Sequence, residues 1–379
     1  MNDRMKRIAF FSYDLRIGGA EKMVVTLLPK FADAGYLVDL VLVNQGGELL
    51  SQADPRVNIV NLGKSHSASA LFPLISYLRK NSPDVLISNL THLNNVAILA
   101  RRLSGASAML IATEHSTISL NNLAKGGKER WLVQISRLLY PSADKIIVVS
   151  AGAAKDLQET LKISAGKIGV IHNPIHPEQI RRLKEEPVDD PWLSDKTIPL
   201  LLSVGRLAKE KNYPFMLDVF RQVTEKRKVR LMILGEGEER PVLEQMVRDL
   251  RLADVVRMPG SIRNPYPYMA HAAIMLCTSH YEGFNIALAE ALACGTPVIS
   301  VDCPHGPAEI LDNGRYGTLI PIGEKDRMAE AIIRGLEHPE TLPSPTVLQQ
   351  RAEIFSVDKV FADYQRTIAG IARYRSETK

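Results

Sequence analysis

Thirteen short apolar runs, most of them followed by a segment of helical pattern, constrain this chain more than any other feature. The first seven read KRIAFF, VDLVLV, VNIVNL, DVLISN, AMLIATEH, KIIVVS and IGVIHN, and all lie within residues 1–173. The remaining six, from residue 199 onward, read PLLLSVGR, VRLMILGEG, VVRMPG, AIMLCTS, PVISVDC and TLIPIG. Runs that are apolar at consecutive positions suit strands buried on both faces. Helix-like stretches such as 69–80, 94–104 and 128–139 separate them. Alternation of this kind predicts α/β architecture, with parallel sheets covered by helices and ligand chemistry beyond the carboxyl ends of the strands.

Between the two sets of runs lies a charged, proline-punctuated stretch (Pro174, Pro177, Pro187, Asp189, Asp190, Pro191) without apolar periodicity. Proline opposes continued helix or sheet, so a domain linker is expected there. The reading is two doubly wound, Rossmann-like domains, residues 1–176 and 177–355, followed by an amphipathic helix at 356–379. The 379 residues suffice for two domains of ordinary size.

Composition narrows the class. Cys277, Cys294 and Cys303 have no CxxC spacing, which predicts no structural disulfide and a reducing compartment. The apolar run near the start is too short for a signal peptide, and no run of about eighteen apolar residues occurs. A cytoplasmic protein is the expectation. Residues 1–180 hold 20 Lys+Arg against 14 Asp+Glu, whereas the rest hold 27 against 28. The basic first half suits an anionic membrane surface or a lipid-linked pyrophosphate as well as ordinary surface charge. Nucleic acid is not expected, because basic and aromatic residues are not interleaved. The basic loop at 121–128 fits either acceptor contact or plain solvent exposure.

The most specific stretch is SHYEGFNIALAEALACGTPVISVDCPHGPAE, residues 279–309. Asn285 is a candidate N-cap for an Ala- and Leu-rich helix starting at Ile286 and ending at Gly295. The amides around Gly283, Phe284 and Ile286 would form an anion seat at the helix start. Glu282 lies in the loop and Glu290 about two helical turns later. Alone, that spacing also fits two solvated glutamates. Near an anion seat, carboxylates make better acceptors for sugar and ribose hydroxyls than ligands for phosphate.

Ser-x-Tyr-Glu-Gly-Phe, Glu-Ala-Leu-Ala-x-Gly-x-Pro-Val-Ile and Gly-Pro-x-Glu-Ile together resemble the nucleotide-sugar signature of retaining glycosyltransferases of family 4, group 1, which have the GT-B fold. That fold would set the two domains face to face across a cleft, with the acceptor on the first and the nucleotide sugar on the second. It would also carry the last helix back onto the first domain. The resemblance implies further roles. Gly18 and Gly19, in the GG-x-E loop after the first strand, would face the cleft, although a Gly-Gly pair alone fits a plain turn. His115, in Thr-x-His at the end of the fifth run, would lie beside the transferred sugar, although a strand-end histidine is also a common structural residue. In GR-x4-KN, following Gly205, Arg206 and Lys211 would hold the pyrophosphate. Gly235 would sit near base or ribose, Ile262 within the base-reading stretch 260–264, and Glu290 on the ribose hydroxyls, while Glu282 orients the sugar.

The implied reaction moves a sugar from a nucleotide diphosphate sugar, a UDP-sugar by preference, to a hydroxyl of a glycan or lipid-linked glycan, with retention. No two aspartates stand two positions apart. Fixed cations are therefore expected to serve the leaving diphosphate, with no metal and no cofactor. The rivals are a non-catalytic sugar-nucleotide sensor and a sugar-nucleotide epimerase of the same fold. A dehydrogenase would need GxGxxG after the first strand, which Arg16 to Ala20 does not supply.

Overall fold

The computed structural model describes residues 6–16, 18–115, 117–120 and 127–377, without the side chains of 127–130. Residues 121–126 of the basic loop at 121–128 therefore lie outside the description, as do Ile17 and Ser116. The chain forms two units, Met1–Pro174 with Val357–Lys379, and Ile175–Ser356.

Unit 1 is built on a seven-stranded parallel sheet in the order β3-β2-β1-β4-β5-β6-β7. In chain order its strands are β1 (Arg7–Ser12), β2 (Leu37–Leu42), β3 (Asn58–Asn61), β4 (Val85–Asn89), β5 (Met109–Glu114), β6 (Lys145–Val148) and β7 (Ile168–Val170). The central strands are buried along almost their whole length, which explains their unbroken apolar character. On one face pack α1 (Gly19–Asp33) and the last helix, described below. On the other pack α2 (Leu71–Asn81), α3 (Thr91–Ser104), α4 (Gly127–Leu139) and α5 (Ala151–Leu161).

Unit 2 repeats the plan with six parallel strands ordered β10-β9-β8-β11-β12-β13. These are β8 (Leu200–Val204), β9 (Arg230–Leu234), β10 (Val256–Gly260), β11 (Ile274–Cys277), β12 (Val298–Val301) and β13 (Thr318–Ile320). Helices α6 (Tyr213–Lys226), α7 (Arg240–Asp249) and α9 (Lys325–Glu337) cover one face. The short helix α8 (Ile286–Cys294) follows β11 and is buried from Leu288 to Cys294. That all-round burial accounts for its Ala-rich composition. In each sheet the strand order reverses once, between β1 and β4 and between β8 and β11. A crevice for ligands opens at such a reversal, beyond the strand ends.

The carboxyl-terminal helix α10 (Val357–Glu377) belongs to unit 1. Val360, Tyr364, Ile368 and Ile371 are buried on one stripe, and the Phe361 ring meets Phe31 edge-on at 4.9 Å. Its far end is pinned by charge. Asp144 accepts from Arg375 Nη2 at 2.8 Å, from Arg101 Nη1 and from the Leu110 amide at 2.8 Å. Removing the Asp144 carboxylate leaves two guanidinium groups and an amide without their acceptor. Asp144→Ala is expected to cost about 2–3 kcal/mol, read as a lowered thermal midpoint, and Arg375→Ala about 1 kcal/mol.

Candidate functional site

In unit 2 the loops leaving β8 and β11 meet at the strand reversal. Thr278 Oγ1 donates to the carbonyls of Lys211 (3.1 Å) and Asn212 (3.2 Å), and the His280 amide donates to Glu210 O at 2.8 Å. These bonds bring Lys211 Nζ to 2.6 Å from Glu282 Oε1. The same oxygen accepts from Ser279 Oγ (2.7 Å) and Asn285 Nδ2 (2.9 Å). Glu282 is 9% exposed, so its charge stays in place through these bonds rather than through water. Burial is the largest single influence and works against the Lys211 ammonium, but the Glu282 carboxylate and smaller neighbouring contributions together raise the pKa, so the lysine is charged at neutral pH.

Asn285 does two jobs. Its Oδ1 accepts from the Leu288 amide at 3.3 Å as the N-cap of α8, while its Nδ2 holds Glu282. Phe284 is buried, its ring edge-on to Phe355 at 5.2 Å, and anchors the loop in the unit's own core. Gly283 and Ile286 beside it are half-buried. Glu290 is buried and accepts from Tyr266 Oη at 3.1 Å. Burial, and next the Glu290 charge, raise the Tyr266 phenol pKa, which keeps it a donor.

Arg206 follows Gly205 just past β8. Its guanidinium is 63% exposed and paired with Glu210. Burial opposes ionisation of Glu210, yet hydrogen bonds to its carboxylate and the Arg206 charge bring its pKa below the usual value. Gly235, reached from β9, has φ +149°, and a Cβ there would stand 2.0 Å from Gly205 O. Glycine is thus what lets the loop after β9 press against the Arg206 loop. Gly306 (φ +80°) likewise brings the Pro304–Pro307 turn against the Glu282 loop, where the Glu282 amide donates to Pro304 O at 3.2 Å. Ile262 lies half-buried just past β10.

Unit 1 carries its own polar cluster at the same kind of place. His115 Nε2 lies 3.3 Å from Asn89 Oδ1, and Asn89 Nδ2 reaches Ser12 Oγ at 3.3 Å, linking the ends of β5, β4 and β1. Burial, only partly offset by the neighbouring Asn173 amide, pushes the His115 pKa down to about 4, so the ring is neutral. Asn173 is the neighbour that acts on the imidazole, although buried His115 Nδ1 and Asn173 Oδ1 make no hydrogen bond of full geometry. Gly18 and Gly19 open α1. The Glu21 carboxylate lies where a Gly18 Cβ would be, 2.3 Å from that point, and it would repel a phosphate placed there. Gly18 therefore suits uncharged hydroxyls better than phosphate.

Sequence reasoning passed over two residues and gave a third, Glu114, no role. Glu210 sits in a Lys-Glu-Lys triplet that reads as solvated charge. Tyr266 has no motif. Glu114, beside His115, is buried at the end of β5 and accepts from Thr91 Oγ1 (2.9 Å), Asn94 Nδ2 (3.0 Å) and Tyr140 Oη. A charged residue closing a buried strand was the available signal. Among the described residues no cluster of three or more His, Cys, Asp or Glu side chains is arranged for a metal.

Burial pushes the Glu114 pKa from 4.5 up to about 7, despite the lowering effect of its three donors. The folded state then holds a proton that the unfolded chain releases, so this group's contribution to stability falls as pH rises from 4.5 to 7. His115 acts in the opposite sense between about 6.5 and 4. Comparing variants separates the two. Relative to the wild type, Glu114→Gln should gain thermal stability between pH 5 and pH 8, by at most about 3 kcal/mol.

Comparison with known proteins agrees with this architecture. Residues 185–353 match the family described as Glycosyl transferases group 1, and residues 17–179 match Glycosyltransferase Family 4. The N-acetylgalactosamine-N,N'-diacetylbacillosaminyl-diphospho-undecaprenol 4-alpha-N-acetylgalactosaminyltransferase of Campylobacter jejuni is 29% identical over 382 residues, covering 97% of this chain and 100% of the relative. The amylovoran biosynthesis glycosyltransferase AmsD of Erwinia amylovora is 27% identical, covering 79% of this chain and 81% of its own length. The crystal structure of Anabaena Alr3699/HepE in complex with UDP superposes with a TM-score of 0.78 at 19% identity, over 97% of this chain and 100% of that one. Two Rossmann-like units with these matches place the chain among the group 1 glycosyltransferases of the GT-B fold.

Proposed function

We propose that the chain transfers a sugar, with retention of anomeric configuration and without a metal, from a UDP-sugar to a hydroxyl of a lipid-linked glycan during polysaccharide or glycolipid synthesis. The observation that carries this reading is the pair of half-buried Lys211 and buried Glu282 at the strand reversal of unit 2, with Arg206 exposed on the adjoining loop. Each side chain suits one part of the donor. The Lys211 ammonium and the Arg206 guanidinium would meet the diphosphate, Arg206 exchanging Glu210 for phosphate oxygens. Glu282, oriented by Ser279 and Asn285, would accept from hydroxyls of the sugar, and Glu290 from those of the ribose. The family resemblance assigns the same four roles.

Chemically, the bond from the anomeric carbon to the diphosphate oxygen breaks as the acceptor oxygen bonds on the same face. The departing phosphate takes the acceptor proton. Negative charge grows on the diphosphate in the transition state, and preorganised cations there lower the barrier. Neutral His115 would donate to or accept from a hydroxyl of the transferred sugar. The acceptor class and the use in glycan assembly rest on relatives such as the diphospho-undecaprenol-dependent transferase, and the UDP preference on the UDP complex.

The test is transfer and hydrolysis assayed over a panel of nucleotide sugars, with and without chelator, and with product configuration read by NMR. Arg206→Ala should lower kcat/KM roughly 10²–10³-fold with an unchanged melting temperature, because its side chain is exposed. Replacing the pair together, Lys211→Met with Glu282→Gln, should abolish turnover without stranding a charge. Full activity of Arg206→Ala, activity only with added divalent metal, or inverted product would contradict the reading.

A further inference from the structure

Helix α8 reads IALAEALAC, and Glu290 is its one charged residue. Around it Leu288, Ala289, Ala291 and Leu292 are fully enclosed, and Glu290 itself is only 5% exposed. A carboxylate in the middle of such a segment is costly to keep unless donors meet it. Its plane also has to be set, because the last torsion of a glutamate is broad and roughly two-fold instead of staggered. Direction matters as much as charge here, since a ligand hydroxyl bonds well only along a narrow range of angles.

Tyr266 meets both needs. Its Oη donates to Glu290 Oε1 at 3.1 Å, and a bond to an ionised acceptor is stronger than one between neutral groups. A carboxylate offers about four acceptor positions, so one phenol orients the group without exhausting it. The phenol is itself held from a fixed frame. Its ring stands at the start of the short helix Tyr266–His271. The Tyr266 amide donates to Asn264 Oδ1 at 3.2 Å, and Asn264 Nδ2 donates to Leu183 O (2.9 Å) and Glu186 Oε2 (2.7 Å). Thr296 Oγ1, just past α8, donates to Met269 O at 2.6 Å. Tyr266 thus reaches Glu290 from a segment tied both to α8 and to the chain preceding β8.

We propose that Tyr266 is a positioning residue for donor recognition. Its hydroxyl sets the plane in which the Glu290 carboxylate receives the ribose hydroxyls, and so sets how strongly the site prefers a ribose over a deoxyribose. This rests on the reading of Glu290 given above and adds the group that orients it. A tyrosine that only packed here would need its ring and not its oxygen.

The test is calorimetry of UDP and of 2′,3′-dideoxy-UDP on the wild type, Tyr266→Phe, Glu290→Gln and the double variant, with donor kinetics alongside. The wild type should bind UDP roughly 10–100-fold more tightly than the dideoxy analogue, the range for hydrogen bonds to a charged group. Tyr266→Phe keeps the ring. It should weaken UDP about fivefold, leave the analogue unchanged and so narrow the preference by the same factor. The donor KM should rise with kcat unchanged, the pattern for a contact equally strong in ground and transition states. In the Glu290→Gln background, Tyr266→Phe should change nothing further. A full ribose preference in Tyr266→Phe, or equal weakening of UDP and its analogue, would overturn the proposal. So would a Tyr266→Phe chain that fails to fold by circular dichroism, which would make the oxygen a structural brace. The two readings fail separately. If the wild type binds UDP with no ribose preference, the ribose role of Glu290 falls and this proposal with it. If Glu290→Gln loses the preference and Tyr266→Phe keeps it, only the positioning role falls.

Discussion

A lysine ammonium and a glutamate carboxylate 2.6 Å apart, both largely withdrawn from water, organise unit 2. Such a pair persists only when hydrogen bonds satisfy what the partner does not. Here Ser279 and Asn285 supply them to the glutamate, and Asn285 is itself fixed because its other end caps α8. The buried helix, the cap, the carboxylate and the lysine are thus one construction, drawn together by the loops from β8 and β11. Glycines at 235 and 306 allow two further loops to close around it. An arrangement this rigid is suited to presenting fixed charge to a ligand, because nothing has to reorganise when charge develops.

Unit 1 solves a different problem with the same topology. At its strand ends the polar groups are kept neutral: burial holds His115 unprotonated and raises the Glu114 carboxyl toward neutrality. A neutral imidazole and asparagine amides suit uncharged polar ligands, whereas fixed charge of the kind unit 2 presents suits an ionic one.

Much of this was legible in the sequence, for identifiable reasons. Central parallel strands buried on both faces leave unbroken apolar runs, and all thirteen strands, the more exposed β3, β7 and β10 included, coincide with runs read from the chain. Asn285 and Gly295 act at the two ends of α8 as their residue types suggest. The contacts between distant loops were not legible. Nothing in the spacing of Lys211 and Glu282 says that they touch, since 71 residues separate them and only the β8–β11 reversal joins them. Arg206 reads as a free cation but has Glu210 as a partner, and Gly235 reads as a ligand contact although its tightest constraint is the carbonyl of Gly205. Glu114 and Tyr266 belong to networks that appear only once the strands are side by side.

The central claim is that the loops joined by the Lys211–Glu282 pair grip the diphosphate of the donor. Hydrogen–deuterium exchange with and without UDP tests it most directly. The account predicts slowed exchange on UDP binding in peptides covering residues 205–212 and 278–290, with little change along β3 or α5. Protection confined to other segments, or none at saturating UDP, would contradict it.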